Sequence, residues 1–91
     1  MTENDYDKLY LEFCEFETKP MSLVYEKLST LTEGKDYDFD YEKEHLFCEP
    51  EYPEDTKVII RSYIFYLDDY DKPVHMRFLY GNNTKILGVV E

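Results

Sequence analysis

Between residues 3 and 16 the apolar positions Tyr6, Leu9, Tyr10, Phe13 and Phe16 recur at intervals of three and four, the spacing of one face of an α-helix. Glu3, Asp5 and Asp7 crowd the start, where carboxylates meet the positive end of the helix dipole and Thr2 or Asn4 can act as the cap. The spacing predicts a helix from about residue 3 to 16, and Leu9 to Phe16 can also be read as a strand. Thr18-Lys19-Pro20 then resembles a helix start, with proline near the first helical position. Met21, Val24, Tyr25, Leu28 and Leu31 form one apolar face of this second helix, and Gly34 is its expected stop.

From Lys35 the period changes to two. Asp36, Asp38, Asp40, Glu42 and Glu44 alternate with Tyr37, Phe39 and Tyr41, as on a strand with one wet face. The run Glu49-Pro50-Glu51-Tyr52-Pro53-Glu54-Asp55 cannot continue it, because its two prolines lack ladder donors, so it reads as an acidic loop. Beyond it the chain predicts a long strand over 57–67, with Val58, Ile60 and Ile64 on one side and Ile59, Tyr63 and Phe65 on the other, which marks it as central. A turn over 68–73, a strand over 75–80, a hairpin turn at Gly81-Asn82-Asn83 and a strand over 85–90 complete the pattern. The expected architecture is α+β, in a single domain over residues 1–91. Two N-terminal helices pack on a four-stranded, mainly antiparallel sheet whose C-terminal strands form a meander.

The 91 residues suit one ordinary core. Hydrophobic residues make up 43% and aromatics 18%, far above the level of an acidic disordered tail, so the chain folds. Its net charge of -11 keeps it away from phosphate backbones and lipid headgroups, which argues against direct nucleic-acid binding and against a membrane partner. No apolar stretch approaches the roughly 20 residues of a membrane-spanning helix. The start, Met1-Thr2-Glu3-Asn4-Asp5, lacks the basic and apolar runs of a secretion signal. A cytoplasmic protein with Cys14 and Cys48 reduced is expected. The absence of Ala, Gln and Trp, with only two arginines, resembles the bias of an AT-rich phage genome.

The location of the charge is more informative than its sum. Residues 1–55 hold 17 Asp and Glu against 5 Lys, whereas residues 56–91 hold 4 against 5 basic residues. Alternate residues of a strand lie about 6.6 Å apart on one face, so Asp36, Asp38, Asp40, Glu42 and Glu44 are expected as a row of carboxylates about 26 Å long. One DNA strand advances about 3.4 Å per phosphate, so the row repeats at about every second phosphate. A solvated edge-strand face that resists aggregation is the plainer reading of that row taken alone. Glu12, Glu15 and Glu17 on the first helix, with Glu49, Glu51, Glu54 and Asp55 in the loop, extend the acidity beyond what solubility requires. These twelve residues are the expected partner-binding carboxylates.

Catalytic and metal chemistry find little support. Asp36-x-Asp38-x-Asp40 opens like a calcium loop, but Tyr41 stands where the turn needs Gly and Phe47 where a bidentate Glu belongs. Cys14, His45, Cys48 and His75 lack the paired spacing of zinc ligands. There is no Gly-rich phosphate loop, and carboxylates are too abundant for one near His45 and Cys48 to mean anything. No catalytic residue, metal or cofactor is expected.

In length, charge and composition the whole chain resembles the DNA-mimic inhibitors that phages direct at host nucleases, and is most similar to the anti-restriction nuclease (Arn) proteins of T-even phages. No diagnostic motif carries the resemblance. It implies a homodimer whose carboxylates present a DNA-like surface to the basic cleft of a host DNA-binding protein. The restriction nuclease McrBC is the implied target, and a nucleoid-associated protein is another of the same kind. The alternative function is an acidic protein–protein interaction module that regulates a host protein through an aromatic face, since Tyr is enriched at interface anchors.

Overall fold

The computed structural model describes residues 1–46, 57–81 and 85–91, with side chains at 45, 46 and 57 left aside. Helix α1 spans Glu3–Cys14 and α2 Ser22–Leu28; strands β1 (Tyr37–Leu46), β2 (Lys57–Phe65), β3 (Val74–Gly81) and β4 (Ile86–Val90) follow. The sheet runs in the order β1-β2-β3-β4 with every neighbouring pair antiparallel, so it is a four-stranded meander. This is the expected α+β architecture with both helices N-terminal. The acidic loop expected over 49–55 and the turn residues Asn82 and Asn83 lie outside the described residues.

Thr2 starts α1 as a capping box: its hydroxyl accepts from the Asp5 amide at 3.1 Å, and the Asp5 carboxylate accepts from the Thr2 amide at 3.2 Å. Two of the helix's four unpaired amides are satisfied in this way. Tyr6, Leu9 and Phe13 bury the helical face that the spacing marks, so the strand alternative for residues 9–16 is resolved as helix through Cys14.

Helix α2 is shorter than its apolar spacing suggests. Pro20 does not open it but bridges to Lys85, while Thr18 donates to Ile86 and Ile86 donates back to Lys19. That segment is an added rung on the edge of β4, and the helix begins only after it. At the other end the Ser29 and Thr30 hydroxyls donate to the carbonyls of Glu26 and Lys27, at 2.5 and 2.7 Å. Such side chains compete with the helical ladder and end it. Gly34 is therefore not the helix stop; its φ of 86° serves the turn into β1, where its amide donates to Tyr37.

Both helices pack on one face of the sheet. Tyr6, Leu9, Phe13, Met21, Val24 and Leu28 meet Tyr63, Phe65, Leu67, Met76, Phe78, Tyr80 and Ile86 in one core. Each such side chain removed from water is worth about 1.5–3 kcal/mol. Ring pairs such as Phe13–Phe78, at 5.1 Å and 88°, give the contact its geometry. The opposite face carries Ile60, Ser62 and Ile64 of β2 paired with Leu79, Arg77 and His75 of β3, and no described helix lies over it.

Candidate functional site

β1 is an edge strand of the sheet, and it carries four of the twelve expected binding carboxylates. Its pairing with β2 shows why they do not form one row. Tyr37, Asp38 and Phe39 face Phe65, Ile64 and Tyr63, but Tyr41 then pairs with Ser62, leaving Asp40 as the extra residue of a β-bulge. A bulge sets two consecutive side chains on one side and reverses the phase of all that follow. Before it, Tyr37 and Phe39 point to the helices and Asp38 to the open face. After it, Tyr41 and Lys43 take the open face, and Glu42 and Glu44 come round to the helix side, opposite Arg61 and Ile59. The expected 26 Å row is thus corrected to two short sets on opposite faces.

Asp36 stands outside the strand altogether. Its carboxylate accepts from the Thr32 amide at 2.9 Å and lies 3.9 Å from the α-amine of Met1. The same amine is 3.6 Å from Asp68 and donates to the Tyr66 carbonyl, so Asp36 helps fasten the chain start to the sheet.

The remaining strand carboxylates have internal partners, with one exception. Asp38 accepts from the Tyr66 hydroxyl at 2.6 Å. Asp40 accepts from the buried Ser62 hydroxyl at 3.2 Å and lies 3.5 Å from His75. Glu42 is 3.1 Å from the Arg61 guanidinium and accepts from the Tyr80 hydroxyl. Glu44 is exposed, and its carboxylate has no partner among the described residues. On the helices, Glu12 pairs with Lys27 at 3.0 Å, whereas Glu15 and Glu17 are exposed and unpaired among the described residues. The structure brings Glu42 and Glu44 together on one side of β1 and Asp38 and Asp40 on the other. Glu49, Glu51, Glu54 and Asp55 lie outside the described residues.

The phenols beside these carboxylates respond to them. Tyr66 is held above the ordinary tyrosine range first by its hydrogen bond to Asp38. Tyr80 is raised well above it, first by burial and then by the bond to Glu42. In both cases a neighbouring carboxylate disfavours the phenolate.

Arg61 and Tyr25 organise the helix side of β1, and neither is among the expected site residues. The Arg61 guanidinium lies 4.5 Å from the centre of the Phe39 ring, 5.3 Å from Tyr63 and 5.4 Å from Tyr25. Its Nε donates to the Tyr63 hydroxyl at 2.5 Å. Partial burial opposes the charge, yet the Tyr63 and Glu42 contacts hold the group above the ordinary arginine range. The signal for Arg61 was present in the sequence: a lone charge inside Val58-Ile59-Ile60-Arg61-Ser62-Tyr63-Ile64-Phe65 requires a partner across the sheet.

Cys14 is a free thiol, and no group of three or more metal-ligating side chains occurs among the described residues. Among those residues no helix is long and apolar enough to cross a membrane. Set against family models, characterised proteins and solved structures, the chain matches none of them.

Proposed function

We propose that the chain is a DNA-mimicking inhibitor that occupies the basic DNA-binding cleft of a host restriction nuclease of the McrBC kind, and that it performs no chemistry itself. The observation that carries the reading is the division of charge. Nine of the 17 acidic residues of positions 1–55 sit on α1, α2 and an edge strand, while the part that includes β2 to β4 is nearly neutral. Folding against such repulsion has a cost, and a complementary cationic surface is what offsets it. The split of the β1 carboxylates alters the expected contact. A cleft that closes around the β1 edge meets Asp38 and Asp40 on one wall and Glu42 and Glu44 on the other, as a cleft around a duplex meets two phosphate strands.

The test is inhibition of McrBC cleavage at increasing DNA and salt. The inhibitor is expected to compete with DNA and to weaken steeply as salt screens the charges. Binding that ignores salt, or that leaves DNA bound, would overturn the reading. One observation favours the alternative of an aromatic interaction module: Tyr25 and Phe39 are exposed large rings beside Arg61. Replacing Glu15, Glu17 and Glu44, which have no internal partner to lose among the described residues, with Lys separates the two, because the mimic loses its target and the module keeps it.

A further inference from the structure

The space between the end of α2 and the start of β1 is a cavity of about 250 Å³ whose walls include Tyr25, Glu33, Tyr37, Phe39, Arg61 and Tyr63. Four rings converge there, and two of them remain open to water, Tyr25 at 42% and Phe39 at 45% exposure. Arg61 shows how these rings hold a planar cation, since its guanidinium lies within the roughly 6 Å over which a ring face attracts a cation at three of them. Its charge is answered by Glu42 at 3.1 Å. The exposed carboxylate of Glu33 has no ion-pair or hydrogen-bond partner among the described residues. The cavity with Glu42 therefore carries one unanswered negative charge.

We infer that this cavity is the anchor point for an arginine side chain of the protein partner, its guanidinium stacked on the open faces of Phe39 and Tyr25 and its N–H fork on Glu33. The inference rests on the reading that the partner is basic, and names which basic residue it offers. An anionic occupant would meet the field of a chain of net charge -11. A neutral apolar one would leave Glu33 unused. Lysine satisfies Glu33 but has no plane to stack, whereas arginine satisfies both the rings and the carboxylate.

The experiment compares octaarginine and octalysine peptides at low salt, with affinity from titration calorimetry and location from amide chemical shifts of the full chain. Octaarginine is expected to bind about fivefold more tightly, with shifts centred on Tyr25, Glu33 and Phe39, and Phe39→Leu is expected to bring the two peptides level. Because Phe39 also supports Arg61, Glu33→Gln provides a second variant on an exposed side chain without an internal contact to lose. It should lower octaarginine affinity several-fold while thermal stability is unchanged. Equal binding of the two peptides to the unaltered chain, or an arginine preference that survives both substitutions, overturns the anchor while leaving the basic-partner reading in place. Binding of neither peptide overturns both.

Discussion

The two halves of β1 are alike in sequence and opposite in behaviour. Tyr37 to Phe39 sends its rings to the helices and its carboxylate outward. Tyr41 to Leu46, beyond the bulge at Asp40, sends the ring of Tyr41 outward and Glu42 inward to Arg61 and Tyr80. An alternation of acid and aromatic that runs from Asp36 to Glu42 thus builds two different surfaces. Period alone tells which residues share a face only while the phase is kept. The second lesson concerns the charge itself, since the first three carboxylates of the strand, Asp38, Asp40 and Glu42, are already bonded within the chain, and a partner must either share or displace those bonds.

The largest effect should separate the two faces of β2. Phe65, fully buried opposite Tyr37, anchors the helix side, whereas Ile64, half-buried opposite Asp38, lies on the open face. Phe65→Ala is expected to cost about 3–5 kcal/mol and Ile64→Ala clearly less, about 1–2 kcal/mol, in urea unfolding. Equal costs would mean that the open face is as well packed as the core. A smaller effect follows from Glu42→Ala, which leaves the register of β1 in place. Arg61 then loses its carboxylate, with a stability loss of about 1–2 kcal/mol. Arg61→Met in the same chain should recover part of that loss, because the deprived charge is gone. A double-mutant cycle measures this coupling, and strict additivity would deny that Glu42 serves Arg61.

How much of this the sequence discloses follows the same division. The helical spacing of Tyr6, Leu9 and Phe13 and the alternation in β2 and β3 each reflect burial against one core, and they locate both helices and all four strands. The start of α2 was hidden because Pro20 is engaged by Lys85, more than sixty residues away, and local spacing carries no record of such a bridge. The bulge was hidden for a related reason. Neither glycine nor proline marks Asp40, and the choice of phase is made by β2, which places Arg61 where a carboxylate is needed. The concentration of acids before residue 56 was legible by counting. That Asp36 would turn to the chain's own α-amine, or that Tyr66 and Tyr80 would each claim a carboxylate, depends on contacts spanning 28 residues or more.

The smallest effect gives the finest comparison, because each half of β1 binds one phenol and the causes of the two shifts are ranked differently. Tyr66 is raised first by its bond to Asp38, and Tyr80 first by burial. A phenol raised in the folded state favours the fold most fully below the unfolded tyrosine value of about 10, and that contribution is lost as pH climbs from there toward the folded value. Asp38→Asn removes the leading cause at Tyr66, so its titration should fall back toward the ordinary range with no measurable change in the alkaline unfolding midpoint. Glu42→Gln removes only the secondary cause at Tyr80, which should stay raised and ionise only as the fold opens. Phenolate absorbance followed beside circular dichroism distinguishes the two. If Tyr66 kept its high value without Asp38, or Tyr80 titrated freely before unfolding without Glu42, the contrast between a strand half held by a surface hydrogen bond and one held by burial would not stand.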